Sequence, residues 1–316
     1  MWYKIGVSDR AVFYWATVEV VKISKVALYL SFVLFLLGMS PPLFHLHNFF
    51  MSSALLAFYL SVMYIQIIGF INAAPSVAAS RVLLILFITG LVFSFWIGYV
   101  AYLAFSILYG LLYIKGIGRS PGLAPNLLTL AGILLLPTAT SPIEALATYP
   151  LASVYSLLYR IDGARSRKKY DVKTGVFLTV LYTASYIFFK NGVIWAFIIP
   201  SVALTIVTPP RVNDLYGVGS FIFRWGVALA PLDHHIFYMS FAVIMSVLCV
   251  PYFIPAVIYR KVPNYGLWLF GLVTAAFVTR VFNILTASGL ITLLTLIYVV
   301  YKSYREEEIK LEPPPT

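Results

Sequence analysis

The chain has 316 residues, of which 61% are hydrophobic, 17% aromatic and 10% charged, with a mean hydropathy of +0.93. A soluble domain carries roughly 25% charged residues and about 45–50% apolar ones, so an ordinary water-soluble enzyme, a disordered chain and a coiled coil are excluded. The net charge of +11 falls mostly in short loops between apolar runs, the pattern of membrane topology and not of nucleic-acid binding.

In chain order, residues 1–23 carry Asp9, Arg10, Glu19 and Lys22. These charges break the apolar run, so the segment reads as a cytoplasmic amphipathic stretch with an N-cap such as Ser8, not as a cleavable signal. A single transmembrane domain then covers 24–302. A helix crosses the hydrocarbon core with about 20 apolar residues. The first span is 24–43, ending at Pro41-Pro42, and the second is 48–72. Residues 82–114 would extend about 50 Å as one helix, so a tilt, a projection beyond the membrane or a kink near Gly98 or Gly110 is expected. Residues 126–159 are interrupted by Pro137, Pro142 and Pro150 and read as one broken helix. Spans at 172–190 and 192–208 form a hairpin around Asn191-Gly192, and 215–232, 235–259, 266–286 and 288–302 complete a ten-helix, all-α polytopic bundle.

Basic residues collect on the cytoplasmic side. With the N-terminus inside, the inside segments hold Lys4, Lys22, Lys25 and Arg81, the dense loop from Arg160 to Lys173, Arg211, Arg260-Lys261 and Lys302/Arg305. Only Lys115, Arg119 and Lys190 fall outside. Both termini are therefore expected in the cytoplasm of a cell-membrane protein, with 303–316 as a solvated acidic tail. The dense basic loop is a topology anchor that can also touch anionic lipid.

All four histidines lie in two similar clusters. His47-Asn-Phe-Phe-Met51-Ser52-Ser-Ala54 opens the second span and His235-Ile-Phe-Tyr-Met239-Ser240-Phe-Ala242 the eighth. Each follows a Pro-Leu pair and a second histidine, His45 or His234. Gly90-Leu-Val and Gly271-Leu-Val echo one another in the next helices, so helices one to three and seven to nine read as two copies of a three-helix unit. Both clusters then face outward. Neutral imidazole binds haem iron, copper or zinc, and His47 with His235 could supply two axial ligands to haem b, walled by Phe49, Phe50, Phe237 and Tyr238. The absence of Cys-x-x-Cys-His excludes covalent haem attachment. His47/Met51 and His235/Met239, four apart on a helix, also make imidazole–thioether ridges suited to Cu(I). Asp233 reads as an N-cap or a carboxylate ligand.

Glu144, Arg224 and Arg280 fall within predicted spans, where ionisable groups pair or line a pathway. The simplest arrangement pairs Glu144 with Arg224 or Arg280; a proton path or an anion cradle is the functional counterpart. Arg280, toward the outer half, could meet a haem propionate or a quinol headgroup. His-Glu-x-x-His and a phosphate-binding glycine loop are absent. Asp162-Gly-Ala-Arg165 lacks two residues and the following acidic pair of the CDP-alcohol phosphatidyltransferase signature.

The ten-helix hydrophobic plan, with His45-Leu-His47-Asn-Phe-Phe-Met51 and His234-His235-Ile-Phe-Tyr-Met239 at helix starts, resembles the hydrophobic subunits of archaeal membrane-bound b-type cytochrome complexes. The plan covers nearly the whole chain; the histidine motifs cover about fifteen residues. The resemblance implies electron transfer between membrane quinol and an exported cytochrome or other respiratory subunit, with His47 and His235 as ligands and His45 and His234 beside them. Two other readings stand next to it. One is a copper-handling or oxidase-assembly protein using the His-Met ridges. The other is a transporter or pore built on the repeat, with Glu144 and Arg280 on its path.

Overall fold

The computed structural model describes residues 7–71, 76–117, 123–168, 171–258 and 260–308. These residues are helical and contain no strand; the only β-type pairing among them is an isolated antiparallel bridge between Arg260 and Glu308. Five described helical stretches are long and apolar enough to cross a membrane: Ala16–Met39, Pro41–Val62, Val77–Ile114, Val172–Lys190 and Leu285–Arg305. The chain divides into two compact units, one up to Ser153 and one from Val154 onward.

In the first unit, α1 runs Val7–Met39 without interruption. The expected boundary at residue 24 is therefore absent and Ser8 lies inside the helix, not at its cap. Helix α1 ends just before Pro41-Pro42, which open a short 3-10 turn. Proline supplies no N–H to the preceding turn. The chain then enters α2, His47–Ile71. Buried Ser24 donates to the Ser61 carbonyl at 2.9 Å, tying α1 to α2 in an otherwise apolar contact. Gly38 lets the two helices approach: a Cβ there would lie 2.9 Å from Met51 Sδ.

The long third stretch breaks at Gly98, one of the two expected sites. Helix α3 covers Val77–Ile97 and α4 Leu103–Ile117, joined by a 3-10 segment that starts at Gly98 with φ +70°. Glycine tolerates that conformation; a side chain does not. The fourth stretch breaks as expected at Pro137 and Pro142, giving α5 (Leu123–Leu135), the short α6 (Pro142–Leu146) and α7 (Tyr149–Arg165). Pro150 interrupts nothing: it occupies the first turn of α7, where a missing N–H costs little. The end of α5 meets the start of α7, because a Cβ on Gly132 would fall 2.4 Å from Ala152 Cβ.

In the second unit, α8 covers Val172–Lys190 and is capped by Asp171. The expected span 192–208 is shorter than read: residues 191–197 form turns through Gly192 (φ +88°), and α9 keeps only Ile198–Val207. Ten residues rise about 15 Å, half of a bilayer core. Helix α10, Leu215–Ala228, is likewise shorter than 215–232 and is capped by Asp214. The expected helix 235–259 splits into α11 (His234–Ile244), a π turn at Met245–Cys249 and α12 (Val250–Ile258). Pro251, just after the π turn, supplies no N–H to its carbonyls.

Helix α13, Gly266–Val281, stops at Asn283, whose φ of 61° closes the helix end with Ile284 N–H on the Thr279 carbonyl at 2.8 Å. Helix α14 spans Leu285–Arg305. It is fastened to α13 and the chain before it by Ser288 Oγ on the Ala276 carbonyl (3.0 Å) and by Tyr265 with Ser303 (2.6 Å). The acidic start of the tail, expected as a free solvated end, is docked: Glu307 accepts from Lys261 at 2.5 Å, and the Arg260 guanidinium donates to the Glu306 carbonyl at 3.0 Å. Glu307 lies below the ordinary carboxylate range because of that Lys261 hydrogen bond, and Lys261 lies above the ordinary lysine value.

Candidate functional site

The first histidine corner belongs to the first unit. His45 sits exposed in the 3-10 turn before α2. His47 opens α2, and its Nδ1 lies 2.7 Å from the Gly38 carbonyl. A carbonyl only accepts, so Nδ1 carries the proton and Nε2 keeps its lone pair. Met51, one turn on, packs against Gly38. The His47/Met51 ridge thus exists but faces α1, where the thioether fills the space that the glycine leaves.

The second corner, in the second unit, is wired differently. Asp233 caps α11, its Oδ1 accepting the His235 backbone N–H at 2.8 Å and standing 3.0 Å from His235 Nδ1. On the other side, Arg280 Nη2 lies 2.6 Å from His235 Nε2. A guanidinium has no acceptor, so Arg280 donates into Nε2 and the Nδ1 proton points at Asp233. The result is a carboxylate–imidazole–guanidinium chain with a neutral ring of fixed tautomer. Arg280 reaches it from the last turn of α13, where a cation also offsets the helix dipole. His234 is exposed at the head of α11, and Met239 lies half-buried one turn beyond His235. Both ring nitrogens of His235 are thus engaged by side chains. Among the described residues no group of three or more His, Cys, Asp or Glu could hold a metal ion.

The two corners share one local signature. Ser52 donates to the Asn48 carbonyl at 2.7 Å and Ser240 to the Ile236 carbonyl at 2.6 Å, at matching positions of the duplicated motif. The fainter echo does not match: a Cβ on Gly90 would press on Tyr102 at 2.7 Å, whereas one on Gly271 meets nothing within 4 Å.

The buried charges also find other partners than expected. Glu144 pairs with neither arginine. It accepts the Thr140 N–H at 2.8 Å while Ser141 Oγ accepts the Glu144 N–H at 3.3 Å, a reciprocal cap on α6. Arg224 is 1% exposed and binds Asp162 Oδ2 at 2.7 Å, the Thr208 carbonyl at 2.7 Å and the Leu204 carbonyl at 3.0 Å. Ser220 Oγ donates to the same Asp162 oxygen at 2.8 Å. Lys168 meets the Val207 carbonyl at 2.6 Å, so two cations satisfy the C-terminal carbonyls of α9. Asp162, within the basic stretch from Arg160 to Lys173, belongs to the last turn of α7. Its signal was spacing: Tyr155, Leu158, Tyr159 and Asp162 recur on one helical face, and all four are buried.

No known protein-family model, characterised protein or solved structure matches this chain.

Proposed function

We propose that the chain is a polytopic cell-membrane protein with both termini in the cytoplasm, built around two copies of a three-helix unit. Its role is that of an integral subunit of a quinol-linked electron-transfer complex, with Asp233, His235 and Arg280 as the quinol-facing corner at the outer surface. The observation that carries this reading is the position of His235, a neutral imidazole between a carboxylate and a guanidinium. A quinol hydroxyl that displaces the Arg280 N–H donates its proton to Nε2. Asp233 stabilises the imidazolium that forms, as the carboxylate does in any such relay. Arg280 then holds the quinol oxygen as negative charge develops on it. The resulting quinol anion gives one electron to a one-electron acceptor, an exported cytochrome or another respiratory subunit. The second proton and electron leave in a repeat of the same step, after His235 has released its proton to outer-face water.

The ion pairs support the assumed sidedness. Glu19 with Arg81 (3.6 Å), Arg165 with Asp214 (2.7 Å) and Lys261 with Glu307 (2.5 Å) each join two segments that basic-residue counting assigns to the cytoplasm. The Asp233–His235–Arg280 chain joins two assigned outside.

The test is photolabelling of the purified protein in lipid nanodiscs with an azido-benzoquinone. Saturable labelling of peptides from α11 and α13, competed by unlabelled quinol and lost in His235→Ala, is expected. Labelling that is unsaturable, or that survives in His235→Ala, would overturn the assignment.

A further inference from the structure

Independently of the quinol corner, the second unit contains a buried ionisable cluster that the proposed reaction does not use. Asp162 near the end of α7 and Arg224 in α10 have side chains 0% and 1% exposed. A buried ion pair is weak grounds for stability, because desolvation offsets most of its attraction. Buried ionisable groups whose charge is not needed for stability are candidates for proton binding. The hydrogen bonding here is also incomplete. Asp162 Oδ1, Arg224 Nε and Tyr216 Oη are buried without a closed hydrogen bond, and Tyr216 faces Asp162.

Arg165, one turn beyond Asp162, binds Asp214 at 2.7 Å and lies over the Tyr216 ring at 4.9 Å. Tyr216 therefore stands between the buried carboxylate and a solvent-exposed ion pair. The groups around Asp162 are Tyr155 and Arg165 from α7, Tyr216 and Arg224 from α10, and Asp214 and Lys168 at the element ends. Helix α9 contributes only its terminal carbonyls.

We propose that Asp162 is a proton-binding site buried inside the protein near its cytoplasmic side, loaded from the Arg165–Asp214 end through the Tyr216 hydroxyl. A proton from cytoplasmic water adds to Oδ1, turning the carboxylate into a neutral acid whose O–H donates to Tyr216. Arg224 keeps its charge and remains on the Leu204 and Thr208 carbonyls, relieved of its hold on α7. Proton occupancy thus sets how firmly α7 is clamped to α10.

Isotope-edited infrared difference spectroscopy tests this on the full chain in lipid vesicles, with 13C-carboxyl aspartate and pH as the only variable. The expected result is a reversible, isotope-shifted band of a protonated carboxylic acid that vanishes in Asp162→Asn. In Tyr216→Phe the band rises about tenfold more slowly after a pH jump, the effect of losing one relay hydroxyl. Should Asp162→Asn not fold, the wild-type band and its delay in Tyr216→Phe carry the test. No protonated band over the pH range of the folded protein, a band that persists in folded Asp162→Asn, or an unchanged rate in Tyr216→Phe overturns the proposal.

Discussion

Arg280 and His235 meet at 2.6 Å, the guanidinium donating into the one imidazole lone pair that a ligand would need. Asp233 holds the opposite nitrogen. In wild-type protein, an electrophile that attacks unprotonated imidazole should modify exposed His45 and His234 and spare His235. Arg280→Ala uncovers Nε2, and diethylpyrocarbonate modification of His235, read by peptide mass spectrometry, should rise about tenfold, the worth of one charge-assisted hydrogen bond. Equal reactivity in both proteins would mean that this contact does not persist.

Removing one partner of the Asp162–Arg224 pair strands the other charge in a dry interior. Arg224→Ala is therefore expected to cost roughly 3–5 kcal/mol, while Arg224→Met combined with Asp162→Leu recovers most of that loss. Thermal unfolding in detergent compares them. A single variant as stable as wild type would contradict the burial.

Glu144 offers a contrast, since it sits in a predicted span yet serves as a local cap. Glu144→Gln should lower stability by only about 1 kcal/mol and leave quinone photolabelling of α11 and α13 intact. Loss of labelling in this variant would give Glu144 a role that its hydrogen bonds do not suggest.

Gly226 and Gly132 each lie in a close helix contact. A Cβ on Gly226 would lie 1.9 Å from Ser240 Oγ, and one on Gly132 would lie 2.8 Å from the Tyr149 Cα. Alanine at either position should destabilise by about 1–3 kcal/mol. Gly289→Ala, where nothing lies within 4 Å, should instead stabilise α14 by about 0.4–1 kcal/mol. Melting temperatures of the three variants decide it.

The clasp between Lys261 and Glu307 has a defined pH window. Glu307 is depressed, so its contribution is present above the ordinary carboxylate value and fades as pH falls through its lowered one. Lys261 is raised, so its contribution holds below the ordinary lysine value and fades as pH rises through the raised one. Hydrogen exchange of the Lys261 amide, which donates to the Glu307 carbonyl at 3.1 Å, corrected for the intrinsic pH effect, should be slowest between these limits and speed up with added salt. A flat profile would mean that the tail is not held by charge.

Helix ends written in strong local chemistry were legible: Pro41-Pro42 after α1, Gly98 between α3 and α4, and the carboxylate cap at Asp233. The ends that escaped depend on partners distant in sequence. Nothing local to Asp162 says that Arg224 and Ser220, about sixty residues on, will enclose it. The histidine motif is duplicated in the sequence, but the neighbours decide its chemistry. His47 meets a carbonyl at the end of α1, whereas His235 meets a guanidinium at the end of α13. Apolar run length overstated α9, because hydropathy registers composition and is blind to the turns around Gly192.

The π turn at Met245–Cys249 holds one residue more than a regular helix would need. Excising a residue there would restore ordinary winding with little change of phase between the flanking segments, because the wide turn absorbs its extra residue within one revolution. The same excision from the regular winding of α11 would swivel its His235 end by about 100° and carry the imidazole away from its guanidinium neighbour. The rod thus has one stretch where a lost residue spares the aim of the corner, and it lies ten positions downstream of it.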